Sequence, residues 1–197
     1  MSLFMETEAP QHPPWYLEPF EGESISHYFG RYRRQEIISA STPSSLGKAA
    51  GIGTALSRWE KFHFNPRPTL KELQAMSKLI GVEVSKLEAL CPPKGVLMVT
   101  RSTRLCAVCY YEAPYHRSHW QFQSTAECEK HQLPLISRCP ACDEKFSLPS
   151  EWEQGSCKRC GMKFTSMKKR QIKAKENRQE QTRKAQELGS SPDWKSV

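Results

Sequence analysis

The amino-acid sequence predicts a small, mainly α-helical fold with zinc-ribbon or zinc-knuckle modules. In this fold an N-terminal helix-turn-helix domain precedes two tandem zinc fingers and a basic, largely disordered tail. Apolar residues recur at helical spacing in the first half of the chain, and seven of the eight cysteines lie between Cys106 and Cys160. Residues 165–197 contain nine Lys and Arg against four Asp and Glu and almost no large apolar side chains, a composition typical of unfolded segments.

Composition divides the 197 residues into five parts. They are a Pro- and aromatic-rich arm (1–22), a helical helix-turn-helix domain (23–92), a first zinc finger (93–135), a second zinc finger (136–164) and the basic tail (165–197). The density of proline in the arm excludes a helix there. Its aromatic residues Trp15 and Tyr16 either pack the arm against the rest of the protein or contact a partner, and both interpretations stay open.

A helical period begins at Ser24. The apolar stripe that we expect to be buried consists of Ile25, Tyr28, Phe29 and Tyr32, and the residues expected to face solvent are Arg31, Arg33 and Arg34. Short helices are predicted at 44–50, 54–61 and 85–90. The capping box Thr69-x-x-Glu72 begins another helix that ends at Gly81, and its inward residues are Leu70, Leu73, Met76 and Ile80.

The segment from Leu46 to Glu60 resembles a helix-turn-helix. Gly51 occupies the turn position that needs a positive φ, and the residues expected to lock the two helices together are Ile52, Leu56 and Trp59. The second helix offers Arg58 for contact, but residues 1–90 carry no net charge, whereas DNA-reading domains rely on phosphate attraction. Reading of DNA therefore remains one interpretation beside a protein-contact or a structural role.

Two sets of metal ligands are predicted from cysteine and histidine spacing. Cys106-x-x-Cys109 with Cys128-x-x-His131 forms the first set, and Cys139-x-x-Cys142 with Cys157-x-x-Cys160 forms the second. Each knuckle directs two ligands at one ion, two knuckles complete a tetrahedron, and thiolates with imidazole favour zinc. We therefore expect two structural Zn²⁺ ions as the cofactors. An interleaved pairing of the two middle knuckles stays open.

The ligand count also predicts that the protein is not an enzyme. A catalytic zinc keeps one coordination position open for water, whereas both sets here supply four protein ligands. His116 and His119 lie in an alternating segment and are interpreted as surface histidines. Cys91 is left over and is interpreted as a buried apolar residue.

The positive charge of the chain is concentrated in the tail. The formal net charge is +8, of which residues 165–197 supply +5, so an anionic partner is expected there. The candidate nucleic-acid contacts are Lys168, Lys169, Arg170, Lys173, Arg101 and Arg104. The candidate contacts with a protein partner are Trp15, Tyr16, Arg58 and Trp120. A solvated tail without a partner is the alternative.

No apolar run reaches the length of a membrane span, and the start of the chain has no basic segment followed by an apolar stretch. We therefore expect no membrane association, no secretory signal and a cytoplasmic location in which the thiols stay reduced.

The order of these segments resembles the TniQ family of transposition target-selection proteins over residues 13–164. The most specific part is the order CxxC, Tyr-x-Arg-x-x-Trp-Gln, CxxH, CxxC. It is carried by Arg104-Leu-Cys-Ala-Val-Cys109, Tyr115-His-Arg-Ser-His-Trp-Gln-Phe122, Cys128-Glu-Lys-His131 and Cys139-Pro-Ala-Cys142, preceded by the helical segment Glu23-Ser-Ile-Ser-His-Tyr-Phe-Gly-Arg31. The short length is similar to the compact form in CRISPR-associated transposons of type V-K, which is related to the N-terminal part of TnsD.

The resemblance implies a bacterial, non-enzymatic adaptor without a small-molecule substrate. Such an adaptor connects an RNA-guided effector and its guide or tracr RNA, at the target DNA, with the AAA+ ATPase TnsC, whose filament recruits the transposase. The alternative function is a stand-alone transcription regulator that binds operator DNA through its helix-turn-helix and zinc fingers.

Overall fold

The structure is a computed structural model that describes residues 12–189. The parts of the predicted arm and tail at residues 1–11 and 190–197 lie outside the described residues. The described residues form seven α-helices: α1 (Ile25–Arg33), α2 (Pro43–Ala49), α3 (Ala55–Glu60), α4 (Leu70–Ile80), α5 (Val84–Ala89), α6 (Ala107–Glu112) and α7 (Lys168–Gly189). One antiparallel pair joins β1 (Glu127–Cys128) to β2 (Leu133–Pro134), and short 3-10 helices lie at Ser118–Gln121, Pro149–Glu151 and Phe164–Met167.

The first five helices surround one hydrophobic core. The predicted stripe of α1 is buried, and it packs with Leu56 and Trp59 of α3 and with Met76 and Ile80 of α4. The prediction is wrong for Leu70, whose side chain is 62% exposed, because it opens α4 on the solvent side. Cys91 is buried at the edge of this core, as predicted, and burial raises the pKa of its thiol to about 12.

Local signals fix the ends of these helices. Thr69 and Glu72 make both hydrogen bonds of the capping box of α4, which confirms that prediction. Gly81 ends α4 with a φ of 77° in the left-handed region, also as predicted. Gly51 adopts a φ of 73° in the turn between α2 and α3, which pack against each other. The interpretation of α2 and α3 as a DNA-reading helix-turn-helix stays a prediction.

A second core fills the cysteine-rich half of the chain, in which residues 93–135 are the first module and residues 136–164 the second module. Its large buried side chains are Leu105, Trp120, Phe146, Trp152 and Phe164. Trp120 has no exposed surface, so its prediction as a partner contact is wrong. Its ring meets the edge of the His116 ring at a centroid distance of 5.3 Å and packs inside the first module instead.

The two cores meet where α1 crosses the 3-10 helix at Pro149–Glu151. Gly30 of α1 approaches Ser150 so closely that a Cβ atom on Gly30 would lie 2.4 Å from the Ser150 carbonyl oxygen. The N–H of Ser150 donates to Ser26 Oγ at 3.2 Å, and Arg34 Nη1 donates to Ser150 O at 2.7 Å. The helical part and the second module are therefore one packed unit, although the sequence separates them.

The arginines of α1 are engaged in contacts, which corrects their prediction as solvent-facing groups. Arg31 makes two hydrogen bonds to the buried carboxylate of Glu23, at 2.8 and 2.6 Å. Arg33 pairs with the buried Glu60 of α3. Sequence periodicity missed these pairs because long arginine side chains bury their stems beside a helical stripe while the guanidinium reaches a partner.

The prediction of a largely disordered tail is wrong for residues 168–189, which form α7. The physical reason is twofold. This segment is rich in Lys, Gln, Arg, Ala and Glu, which are strong helix formers. It is also anchored, because the buried Gln171 accepts the N–H of Ala107 at 2.8 Å and donates to the carbonyl of Pro134 at 2.7 Å. Among the described residues, no helix has the length and apolarity that a bilayer crossing requires.

Candidate metal centres

The first centre, site 1, gathers Cys106, Cys109, Cys128 and His131, whose ligand atoms all lie within 4.8 Å of one another. Cys106 precedes α6 and Cys109 lies in its first turn, while Cys128 ends β1 and His131 lies in the turn that leads to β2. The Cys109 and Cys128 sulfurs are 3.4 Å apart. His131 Nδ1 lies 3.6, 3.2 and 3.5 Å from the sulfurs of Cys106, Cys109 and Cys128 respectively.

The second centre, site 2, gathers Cys139, Cys142, Cys157 and Cys160 within the same 4.8 Å limit. The sulfurs of Cys139 and Cys160 are 3.6 Å apart, as are those of Cys142 and Cys157. Site 2 is more open than site 1, because Cys160 is exposed.

The backbone builds both halves of site 2 in the same way. Asp143 donates its N–H to the carbonyl of Cys139, and Gly161 donates to that of Cys157, each at 2.9 Å. Asp143 and Gly161 have φ angles of 58° and 70°, so the chain reverses through a left-handed residue directly after each CxxC. This reversal turns both sulfurs of a knuckle toward one point.

The ligand spacing fits a tetrahedral ion. With Zn–S and Zn–N bonds of about 2.3 and 2.1 Å, a regular tetrahedron places sulfurs about 3.8 Å apart and a sulfur about 3.6 Å from a nitrogen. The distances in both centres fall near these values. The ligands group as the two sequential sets, and the interleaved pairing is not the one that the structure brings together. The chain thus holds two clusters that can each bind one metal ion.

Glu112 supports site 1 from outside the ligand set, and the sequence analysis missed it. Its carboxylate accepts from His131 Nε2 at 2.9 Å and from Lys130 Nζ at 2.7 Å, and these hydrogen bonds lower the pKa of Glu112. A carboxylate behind a metal-binding histidine fixes its ring orientation and makes it a better ligand. The available signal was the spacing of Cys109 and Glu112, which are three residues apart and so share a face of α6.

His116 is a junction residue, which corrects its interpretation as a surface histidine. It is completely buried, with Nδ1 at 2.8 Å from Ser24 Oγ and Nε2 at 3.1 Å from the carbonyl of Arg104. Because a carbonyl only accepts, Nε2 carries the proton and Nδ1 accepts from the Ser24 hydroxyl. Burial holds the pKa of His116 well below its usual value, so the ring is neutral.

The predicted nucleic-acid contacts divide into surface and internal groups. Lys169, Arg170 and Lys173 are exposed on α7, and Arg101 is exposed near the start of the first module. Lys168 Nζ lies 3.1 Å from the centroid of the Tyr111 ring. Arg104 is not a free surface group, because its guanidinium donates to the carbonyls of Phe122 and Thr125, the latter at 2.6 Å.

Of the other predicted partner contacts, Trp15 is 38% exposed, and its Nε1 donates to the carbonyl of Leu79 at 3.2 Å. The arm therefore packs on α4 while it leaves part of the indole in solvent. Tyr16 and Arg58 are partly buried.

Comparison with known proteins leaves these centres to be interpreted from their own geometry. No model of a known protein family matches the chain, and no curated protein sequence matches it significantly.

Proposed function

We propose that the chain is a non-enzymatic adaptor in transposition target selection, of the TniQ kind. In this proposal it binds two structural zinc ions and links an RNA-guided CRISPR effector, with its guide RNA at the target DNA, to the AAA+ ATPase TnsC. The supporting observation is that each cluster supplies four protein ligands and that α1 fastens both modules into one body.

The closed ligand sets support a structural role for the metal. Three thiolates with one imidazole, and four thiolates, are donor sets that suit zinc, and four protein ligands leave no position for a reacting water. Substitution of Cys109 by Ser is expected to reduce the zinc content from two ions to one by elemental analysis. Replacement of the buried, non-ligating Cys91 by Ala is the control and keeps two ions. A Cys109→Ser protein with two zinc ions contradicts the ligand assignment.

The first turn of α7 supports contact with nucleic acid. It contains Lys168, Lys169 and Arg170 and no acidic residue. Cations at the N-terminus of a helix are unfavourable because the helix dipole is positive there, and a bound phosphate relieves that repulsion. Phosphate contacts of this type do not depend on sequence and weaken as salt rises.

Exposed apolar side chains support contact with protein. Trp15, Phe20, Ile37, Leu97 and Tyr111 each keep 38% or more of their surface in solvent. Such residues are frequent in the centres of protein interfaces. An adaptor needs surfaces of both kinds.

The adaptor proposal is tested by co-purification of the full chain with TnsC and guide RNA, beside binding to a duplex alone. We expect recovery of the ATPase or the RNA and weak, salt-sensitive duplex binding. Tight binding to one duplex sequence without either partner contradicts the adaptor and supports the transcription regulator, since specific DNA binding typically exceeds non-specific binding by about 10³-fold or more.

The α7 contact is tested with a double variant, Lys169→Gln with Lys173→Gln, which leaves the anchoring Gln171 in place. The slope of log affinity against log salt should become shallower by about 1.4 to 1.8, because two phosphate contacts are lost. The matched control changes two exposed lysines of α4, Lys71→Gln with Lys78→Gln. An equal change of slope in both variants contradicts a role for α7.

A further inference from the structure

A cleft of about 500 Å³ lies where α1, α6 and the second module meet. Its volume is within the range of small-molecule sites, about 300 to 1,000 Å³. The walls include His27 and Arg31 from α1, Arg34 directly after α1, Tyr110 from α6, and Lys163 from the second module. None of these residues is a metal ligand.

His27 presents an unused hydrogen-bond acceptor to this cleft. The residue is 2% exposed, and its Nδ1 is hydrogen-bonded to the buried carboxylate of Glu23. A carboxylate only accepts, so Nδ1 carries the proton. Burial lowers the pKa of His27 despite the favourable pairing with Glu23, and the neutral ring leaves a lone pair on Nε2. Within the described residues, Nε2 has no hydrogen-bond partner.

Tyr110 presents an unused donor. It is 5% exposed and lines the cleft, and its hydroxyl has no hydrogen-bond partner among the described residues. Gly155 leaves the room that this hydroxyl occupies, because a Cβ atom on Gly155 would lie 2.6 Å from it. This hydroxyl is not one of the buried polar atoms without a partner among the described residues, so it is open to the cleft and available to a ligand.

The cleft also holds incompletely compensated positive charge. Glu23 neutralises Arg31, whereas Arg34 uses one N–H for the carbonyl of Ser150 and keeps further donors free. Lys163 is exposed at the rim, and Glu153 is the one carboxylate in the wall. Burial lowers the pKa of Arg34, and the attraction of Glu153 opposes this shift only in part.

We propose that this cleft binds a nucleotide. The phosphate lies between Arg34 and Lys163, a ribose hydroxyl or a base N–H donates to His27 Nε2, and the Tyr110 hydroxyl donates to the ligand. A carboxylate side chain matches the cations but supplies no donor for His27. A nucleotide carries both groups in one molecule, because its phosphate is an anion and its ribose hydroxyls and base N–H groups are hydrogen-bond donors. The ligand is a free nucleotide or the terminal nucleotide of a single strand.

The test uses titration calorimetry on the full-length, zinc-loaded protein. Adenosine 5′-monophosphate and a 5′-phosphorylated RNA pentamer are the nucleotide probes, and inorganic phosphate and an acidic hexapeptide are the comparison probes. We expect saturable binding of at least one nucleotide probe, tighter than that of phosphate or peptide. Binding of the pentamer without binding of the mononucleotide identifies the end of a strand as the ligand. Binding of the mononucleotide without binding of the pentamer identifies a free nucleotide.

Tyr110→Phe is the decisive variant, because it removes only a hydroxyl that makes no hydrogen bond to the described residues of the protein. It should weaken binding by about tenfold, the loss of one hydrogen bond to a charged ligand, without lowering the melting temperature. Lys163→Gln should weaken it similarly. The control, Tyr111→Phe, alters the neighbouring exposed tyrosine and should leave affinity unchanged.

The proposal is overturned if neither nucleotide probe saturates, if phosphate or the peptide binds as tightly, or if Tyr110→Phe binds like the wild type. The α7 variant Lys169→Gln with Lys173→Gln keeps the cleft intact and should bind the nucleotide normally. The cleft and the adaptor function can therefore fail independently.

Discussion

The hydroxyl of Ser24 donates to Nδ1 of His116 at 2.8 Å, while its oxygen accepts the N–H of His27 at 3.2 Å. The hydrogen bond with the His27 N–H caps the N-terminus of α1. The hydrogen bond with His116 joins this cap to the segment between the two knuckles of site 1. One side chain therefore begins the first helix and ties it to the first metal module.

Replacement of Ser24 by Ala is expected to lower the free energy of unfolding by about 2 to 4 kcal/mol. The loss combines about 1 kcal/mol for the cap with about 1 to 3 kcal/mol for the buried His116 nitrogen left without a donor. Urea unfolding with zinc in excess measures this change in the free energy of unfolding. Thr42→Ala removes the exposed cap of α2 and is the control, with a loss near 1 kcal/mol. Equal losses contradict the link to His116.

Stability should fall with acid because of His116. Its pKa is lowered on folding, so the unfolded chain binds the proton more readily below its ordinary pKa of about 6.5. The stabilisation is complete above that pH and is lost as the pH falls, by up to about 1.4 kcal/mol per pH unit. The groups that act on the ring are His27, His119, the Arg104 carbonyl, the Gln121 side chain and the Ser24 hydroxyl, and burial lowers the pKa of His27 as well.

The comparison of His116→Gln with the wild type isolates the contribution of His116 to the pH dependence of stability, because the metal ligands titrate in both proteins. The His116→Gln variant should be less stable at pH 7 but should lose less between pH 6.5 and 5. His63→Gln, at an exposed position, should keep the wild-type slope. A parallel pH profile for His116→Gln disproves the assignment.

Gly30→Ala should destabilise the protein by about 3 kcal/mol or more, although the same change normally stabilises a helix by up to about 1 kcal/mol. The new methyl group would meet the backbone of Ser150, which cannot rotate away. Thermal unfolding measures the change, and Gln74→Ala on the exposed face of α4 is the control. A neutral or stabilising effect would mean that α1 does not touch the second module.

Glu112→Gln should weaken zinc binding at site 1 by about 10- to 100-fold, the usual effect of losing a carboxylate behind a metal-binding histidine. Competition with a chromophoric chelator measures the affinity. Glu129→Gln removes an exposed carboxylate next to the ligand Cys128 and should have little effect. Similar losses in both variants indicate a general charge effect instead.

Local patterns predicted the parts of the protein that depend on near neighbours. The knuckle spacing identified all eight cluster residues, and the Thr69 capping box and Gly81 placed both ends of α4. Residues whose environment comes from distant segments were misjudged. His116 and Trp120 lie in a polar stretch and are buried only because α1 and the second core cover them.

The tail shows the same limit. Its composition led to a prediction of disorder, and the deciding fact is a contact of Gln171 with residues 64 and 37 positions earlier in the chain. The residue pattern within 165–197 could not predict that contact, because both partners of Gln171 lie outside this segment. The cleft could not be predicted from the sequence either, because its walls come from α1, α6 and the second module, which are distant in the chain.

The contact of Arg34 with Ser150 spans 116 residues of chain, and this separation sets an order of events during biosynthesis. At about 5 to 20 residues per second, a ribosome delivers Ser150 roughly 6 to 23 s after Arg34. Throughout that interval the nascent α1 lacks the Ser150 backbone that packs against Gly30 and hydrogen-bonds to Ser26. Packing of the helical half is therefore incomplete until the second cysteine cluster has left the exit tunnel. A chaperone finds the largest exposed surface of this half during that period.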